Sequence, residues 1–208
     1  VPGRTQATAV AQPVVTVRDR VSIPLRGGAD ALFVTFHGMD PASEHFAVQF
    51  GPLAAAGVPL VRMHSECITG DVFGSLRCDC GAQLAQATER LQAEGGVLLY
   101  LRQEGRGIGL AAKLAAYRLQ DGGLDTYAAN RALSLPADAR DYACGAAMLQ
   151  ALQVPRIKLI TNNPDKAAQL KRHGIAVEES IATGTFLTPF NRDYLSAKVA
   201  VTGHKLVL

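Results

Sequence analysis

The spacing of apolar positions divides the chain into a strand-rich first part and an alternating remainder. RVSIPL (20–25), ALFVTFHG (31–38) and HFAVQF (45–50) are short β-branched or aromatic runs separated by turn-forming residues, and each predicts a strand. GVPLVRMHSE (57–66) predicts another, running directly into a group of cysteines. After Cys80 the period changes. Leu84, Ala87, Thr88 and Leu91 fall at i, i+3, i+4 and i+7, the stripe of an amphipathic helix that Gly95-Gly96 stops. GVLLYLR (96–102) then predicts a buried strand, QEGRGIG (103–109) a glycine-punctuated turn, and LAAKLAAYRLQ (110–120) a helix closed by Gly122-Gly123. DARDYACGAAMLQAL (138–152) predicts a helix apolar on most faces and therefore buried. RIKLIT (156–161) predicts a strand, PDKAAQLKRHG (164–174) a helix with proline at its start, IAVEES a closing strand and the last residues a helix. The expectation is an α/β fold: a mixed-sheet domain with a β-rich N-terminal part and helices packed around the C-terminal strands. Residues 1–13, small and polar, read as a flexible tail, which leaves 14–208 as a single domain.

Composition narrows the class. Hydrophobic residues make up 48% of the chain, which suits a globular protein. No apolar run approaches the roughly 18 residues of a membrane span, and the N-terminus has no apolar signal core. The expectation is a cytoplasmic protein without a membrane partner. Lys and Arg number 21 against 18 acidic residues, a net charge of +3. That bias favours a small polyanionic ligand. It is too weak and too evenly spread to predict nucleic acid as a partner. Four cysteines are too few for a disulfide scaffold.

Three of those cysteines are clustered as Cys67-x10-Cys78-x-Cys80. Closed structural zinc sites use four protein ligands, whereas three ligands and an open position form a catalytic zinc site. Cys144 lies inside an apolar helix and reads as core. Two other readings of the cluster stand beside the catalytic one: ordinary thiols, or a structural site completed by His64. Cys-x-Cys is not the Cys-x-x-Cys of redox pairs.

The surroundings of the cluster carry more. RMHSECITGDVFGSLRCDCGAQL (62–84) followed by YLRQEGRGIGLAAKLAAYRLQD (100–121) resembles GTP cyclohydrolase II. The likeness continues through LDTYAANRAL, DARDYACGAAML, LITNNPDK and YLSAKVAVTGHKL, covering roughly 60–206. It implies the first step of riboflavin synthesis. GTP loses pyrophosphate, its imidazole ring opens at C8 and C8 leaves as formate. It also implies one zinc ion per chain, magnesium with the nucleotide and a homodimer.

Matched residue by residue, Cys67, Cys78 and Cys80 are the family's zinc ligands, which activate the water that adds to C8. Arg62, Met63, His64, Ser65 and Glu66 match its nucleotide-contacting stretch, and Gln83 a further contact. Glu104, Gly105 and Arg106 match a contact loop, in which Glu104 is expected to read the guanine N–H groups. Thr126, Thr161 and Lys166 match the remaining contacts. Tyr117 matches a tyrosine placed near the reacting base. Asp138 matches a proton acceptor. Arg140 matches a nucleophile at the α-phosphorus, or a phosphate clamp, since guanidinium stays protonated. Without the resemblance, Asp138 would be a helix N-cap, Tyr117 a core residue and Lys166 a solvated charge. Arg77 reads either as a counter-charge to the thiolates or as a solvated side chain. Rival readings are a non-catalytic zinc-binding module and a family variant that keeps the formyl group.

Overall fold

The computed structural model describes residues 14–26, 30–53, 57–124, 126–136, 140–192, 194–196 and 199, without the side chains of Thr126 and Tyr127. Seven strands form one sheet in the order β1-β2-β3-β5-β4-β6-β7. The strands are β1 (Thr16–Pro24), β2 (Asp30–His37), β3 (Phe46–Phe50), β4 (Leu60–Ser65), β5 (Gly96–Leu101), β6 (Arg156–Ile160) and β7 (Ala176–Ile181). From β1 to β5 neighbouring strands run antiparallel, and from β5 through β4 and β6 to β7 they run parallel. The helices are α1 (Ile68–Asp71), α2 (Cys80–Glu94), α3 (Leu110–Asp121), α4 (Thr126–Ala132), α5 (Ala143–Ala151) and α6 (Pro164–Arg172). All follow β4, as the alternating pattern of the later sequence implied.

Strand alternation distributes the core over both faces of the sheet. Val61 and Met63 of β4, with Val97, Leu99 and Leu101 of β5, pack against Ala146, Met148 and Leu149 of α5 and Leu170 of α6. On the opposite face Leu60, Leu98 and Ile160 pack with Leu91 of α2, and Leu84 lies against them. The predicted stripe of α2 is thus its buried side. Arg62 and His64 alternate with Val61 and Met63, so they point toward the α2 face.

Four details differ from the sequence pattern. β1 begins at Thr16 rather than Arg20, since antiparallel pairing with β2 extends to Thr16↔His37 across an irregularity between Val17 and Arg20. It is exposed along nearly its whole length, so it has no alternation to read. α1 and α4 span only 4 and 7 residues, too short to show a helical period. α5 starts at Ala143, not at residue 138, with the Asp141 carboxylate accepting the Ala143 N–H at 2.8 Å. Arg140 therefore lies in the loop ahead of the helix. The predicted tail and most of the closing helix fall outside the described residues, although 194–196 are helical.

Candidate active site

Parallel strands gather their following loops at one edge of a sheet, and ligands bind there. Here β4 leads into Ser65–Cys67, β5 into Gln103–Arg106 and β6 into Thr161–Asn163. These loops enclose two adjoining basins. One is lined by Cys67, Cys78, Cys80, Glu66, Glu104, Lys113 and Tyr117. The other is lined by Arg62, His64, Gln83, Thr161, Asn163 and Lys166. Ser65, Cys80, Arg106, Arg140 and Tyr194 line both.

The cysteine basin is built from two turns in close contact. The sulfurs of Cys67, Cys78 and Cys80 all lie within 4.8 Å of one another, and Cys67 Sγ is 3.6 Å from Cys78 Sγ. Zinc–thiolate bonds of about 2.3 Å put the sulfurs of a tetrahedral site about 3.8 Å apart, so this donor set fits zinc. Gly70 is what allows the approach. A Cβ there would sit 2.9 Å from Cys78 Sγ and 3.2 Å from Cys67 Sγ. Cys67 is held below the usual thiol range by hydrogen bonds from Cys78 and Cys80, with Lys113 adding to the effect. Cys78 is pushed up to about 11 by the bond it shares with Cys67.

Asp71 closes this turn from below. Its carboxylate accepts the Cys67 N–H at 3.0 Å and the Tyr100 hydroxyl at 2.8 Å. His64 Nε2 lies 3.0 Å from both of its oxygens. His64 is thus tied to Asp71 through Nε2, and its ring does not join the group of three sulfurs. Burial lowers its pKa against the pull of Asp71. The neutral ring donates from Nε2 and leaves Nδ1 a bare acceptor.

In the second basin, Arg62 donates to Ile160 O at 3.1 Å and to Gln83 Oε1 at 3.0 Å, and Gln83 donates to Asp79 at 2.6 Å. Lys166 Nζ donates to Met63 O at 2.8 Å. It sits in the first turns of α6, whose N-cap Asn163 accepts the Asp165 N–H at 3.0 Å. Thr161 Oγ1 accepts the Asn163 N–H at 3.0 Å. Three buried polar atoms on β4 have no protein partner among the described residues: Arg62 Nε, His64 Nδ1 and Ser65 Oγ. Such atoms are costly unless a ligand or water meets them, and all three side chains line the basin.

Not every matched residue stands where the sequence implied. The Met63 side chain is fully buried in the core and lines neither basin. Glu104 is committed internally rather than open to a guanine. Its oxygens take the N–H groups of Ile68 and Gly105 at 2.7 Å each and the Lys113 ammonium at 3.0 Å. Gly105 has φ of +62°, and a Cβ there would meet Ile108 at 3.0 Å and Lys113 at 3.2 Å. Arg106 shares the left-handed backbone, also at φ +62°. Glu66 pairs with Arg102 at 3.0 Å. Arg77 bonds Asp121 at 2.8 Å and covers the Tyr117 ring at 4.3 Å, so it is not the thiolates' counter-charge. Burial raises the pKa of Tyr117 and keeps its phenol protonated. Cys144 is half-buried against the core, and burial raises it to about 11. Asp138 and the Thr126 side chain lie outside the described parts.

Lys113, Asp71 and Tyr194 were missed by sequence reasoning. Lys113 had one legible sign: it lies four residues before Tyr117, on the same face of α3.

A family model described as GTP cyclohydrolase II matches residues 16–182. GTP cyclohydrolase-2 of Vibrio cholerae is 49% identical over 195 residues, 92% of this chain and 98% of that protein. Riboflavin biosynthesis protein RibBA of Thermotoga maritima is 51% identical over 173 residues, 83% of this chain and 44% of that protein. Among solved structures, RibBX, a two-domain 3,4-dihydroxy-2-butanone 4-phosphate synthase from A. baumannii, matches with a TM-score of 0.46. It is 18% identical, over 83% of this chain and 41% of that one.

Proposed function

This chain belongs to the GTP cyclohydrolase II family, and on that premise we propose that GTP is bound and hydrolysed in the two adjoining basins. Its reaction is that of a GTP cyclohydrolase II, a hydrolase of riboflavin biosynthesis. The guanine imidazole ring is opened at C8, formate and pyrophosphate leave, and 2,5-diamino-6-hydroxy-4-(5-phosphoribosylamino)pyrimidine is formed.

The observation that carries the placement is the adjacency of a three-thiolate basin and a polar, basic one, joined through Arg106, Arg140 and Tyr194. A nucleoside triphosphate has the same polarity, a base at one end and a polyanion at the other. The base belongs at the cysteines and the phosphates beside Arg62 and Lys166. We assign one zinc ion to Cys67, Cys78 and Cys80. The chemistry that ion supplies is water activated at neutral pH, for addition at C8. The neutral phenol of Tyr117, which lines the same basin, serves as hydrogen-bond donor to the opening ring.

At the other end, Arg140 clamps the phosphates. Guanidinium is a poor nucleophile and a good bidentate partner for phosphate, and this favours the clamp over a covalent role. Asp138, two residues before it, is the family's proton acceptor. Lys166 and the N-terminus of α6 form an anion site, Arg62 and Ser65 offer unpartnered donors to the phosphates, and His64 Nδ1 offers an acceptor to a hydroxyl of the ligand. Thr161, Gln83, Arg106 and Thr126 complete the contacts, with Glu104 holding the loop rather than reading the base. Magnesium accompanies the triphosphate. The working assembly is a homodimer in the cytoplasm. Among the described residues, no helix is long and apolar enough to cross a membrane.

The test is the stoichiometry of products. Zinc-loaded protein with GTP and magnesium is expected to release formate and pyrophosphate in equal amounts. Pyrophosphate without formate would identify a formyl-retaining enzyme, and neither product would leave a binding module.

A further inference from the structure

One buried charge in the cysteine basin has no place in the reaction as described. Lys113 on α3 is only 10% exposed along its side chain. Its ammonium donates to Cys67 Sγ at 3.1 Å, Thr69 Oγ1 at 2.9 Å and Glu104 Oε1 at 3.0 Å. An ammonium has three N–H donors, so these three acceptors saturate it. The cation also lies 5.8 Å from the centre of the Tyr117 ring.

We propose that Lys113 is a positioning residue of the metal centre, donating to the Cys67 sulfur and tying the cysteine turn to the Glu104–Arg106 loop. This rests on the reading that the three cysteines hold zinc. Three thiolates exceed the charge of a divalent ion by one, and a buried excess charge needs a partner. Lys113 is a buried cation in hydrogen-bond contact with one of those sulfurs. Groups that hydrogen-bond to metal ligands orient them and adjust how strongly they donate. The same ammonium holds Glu104, whose carboxylate takes the backbone of Ile68 on one side and of Gly105 on the other. A single side chain thereby spans from a metal ligand to the loop bearing Arg106. A compact ammonium with three rotatable donors suits this tripod, whereas the planar fork of arginine does not.

The experiment uses Lys113→Met in the full chain, which keeps the stem and removes the donors. Zinc affinity is measured by competition with a chromophoric chelator. Cobalt is then substituted and the thiolate-to-cobalt charge-transfer band recorded. We expect zinc binding weakened roughly 10- to 100-fold. We also expect the band at lower energy, because electron density is no longer withdrawn from Cys67. Should Lys113→Met fail to fold, Lys113→Gln, a neutral donor, is read by the same two measurements. A folded variant with unchanged affinity and an unchanged band overturns the inference alone. Failure of the unaltered chain to bind either metal overturns the cysteine reading as well.

Discussion

The two ends of the candidate active site are built in different ways. The cysteine end is local. Its three sulfurs come from turns flanking α1 and opening α2, and Gly70 sits between them because a Cβ would reach Cys78 Sγ at 2.9 Å. The basic end is assembled over distance. Arg62 reaches Ile160 across 98 residues, and Lys166 reaches Met63 across 103. The first depends on ligand types at fixed spacing. The second depends on parallel register, Leu60↔Lys158 through Arg62↔Ile160, which brings the ends of β4 and β6 side by side. Two half-sites held by different forces can fail separately, and the reaction has two separable releases, formate and pyrophosphate.

The largest effect is expected from Cys78→Ser. Removing one thiolate of three should abolish zinc retention and formate release while pyrophosphate release persists, measured by metal analysis and product assays. Loss of both releases together with the folded near-ultraviolet signal would mean that the metal also holds the structure, and the two ends would not be independent. Arg140→Ala is the reciprocal case. Loss of a charge-stabilising donor at the transition state is expected to slow pyrophosphate release by roughly 100- to 1000-fold. Zinc content should be unchanged, and a fall in zinc would break the comparison.

Lys166→Met has a smaller and mixed effect. It leaves the Met63 carbonyl unsatisfied, which costs about 1–3 kcal/mol in stability, and it raises KM for GTP. Urea unfolding and steady-state kinetics separate these. An unchanged KM would remove Lys166 from the phosphate site and leave it a strand-to-helix tie.

The smallest effect concerns pH. Burial lowers the pKa of His64 in the folded chain. Below about pH 6.5 the unfolded histidine takes up a proton that the folded one refuses, so stability falls with falling pH, by up to about 1.4 kcal/mol per pH unit. His64→Gln should flatten that part of the stability profile of zinc-free protein between pH 7 and 5.5. Identical slopes for the two proteins would mean that Asp71 keeps His64 charged in the fold.

Much of this site was legible in the sequence, for physical reasons that differ by residue. The closeness of the three cysteines could be read because a strand end, a short turn and a helix start keep residues 67–80 together, while their reading as zinc ligands rests on the resemblance. α2 and α6 could be read because their stripes and their glycine or proline boundaries are local signals. Arg140 was assigned to a helix because the apolar run beyond it gave no sign of where the backbone turns helical. Glu104 matches the nucleotide contacts only through the family's loop, and the sequence does not show which groups its carboxylate accepts from. Its three donors come from Ile68, Gly105 and Lys113, and one of them lies 36 residues away.

By itself, the sequence determined the seven strands, the four longer helices, the clustering of three cysteines and the family, since each rests on residue type and spacing along the chain. Only the tertiary structure decided which charges meet. It placed Lys113 on the Cys67 sulfur, His64 on Asp71 and Arg77 over Tyr117. A buried ion pair depends on which strand ends and helix faces the sheet brings within about 4 Å, and that proximity is set by the packing of both faces of the sheet rather than by any one segment.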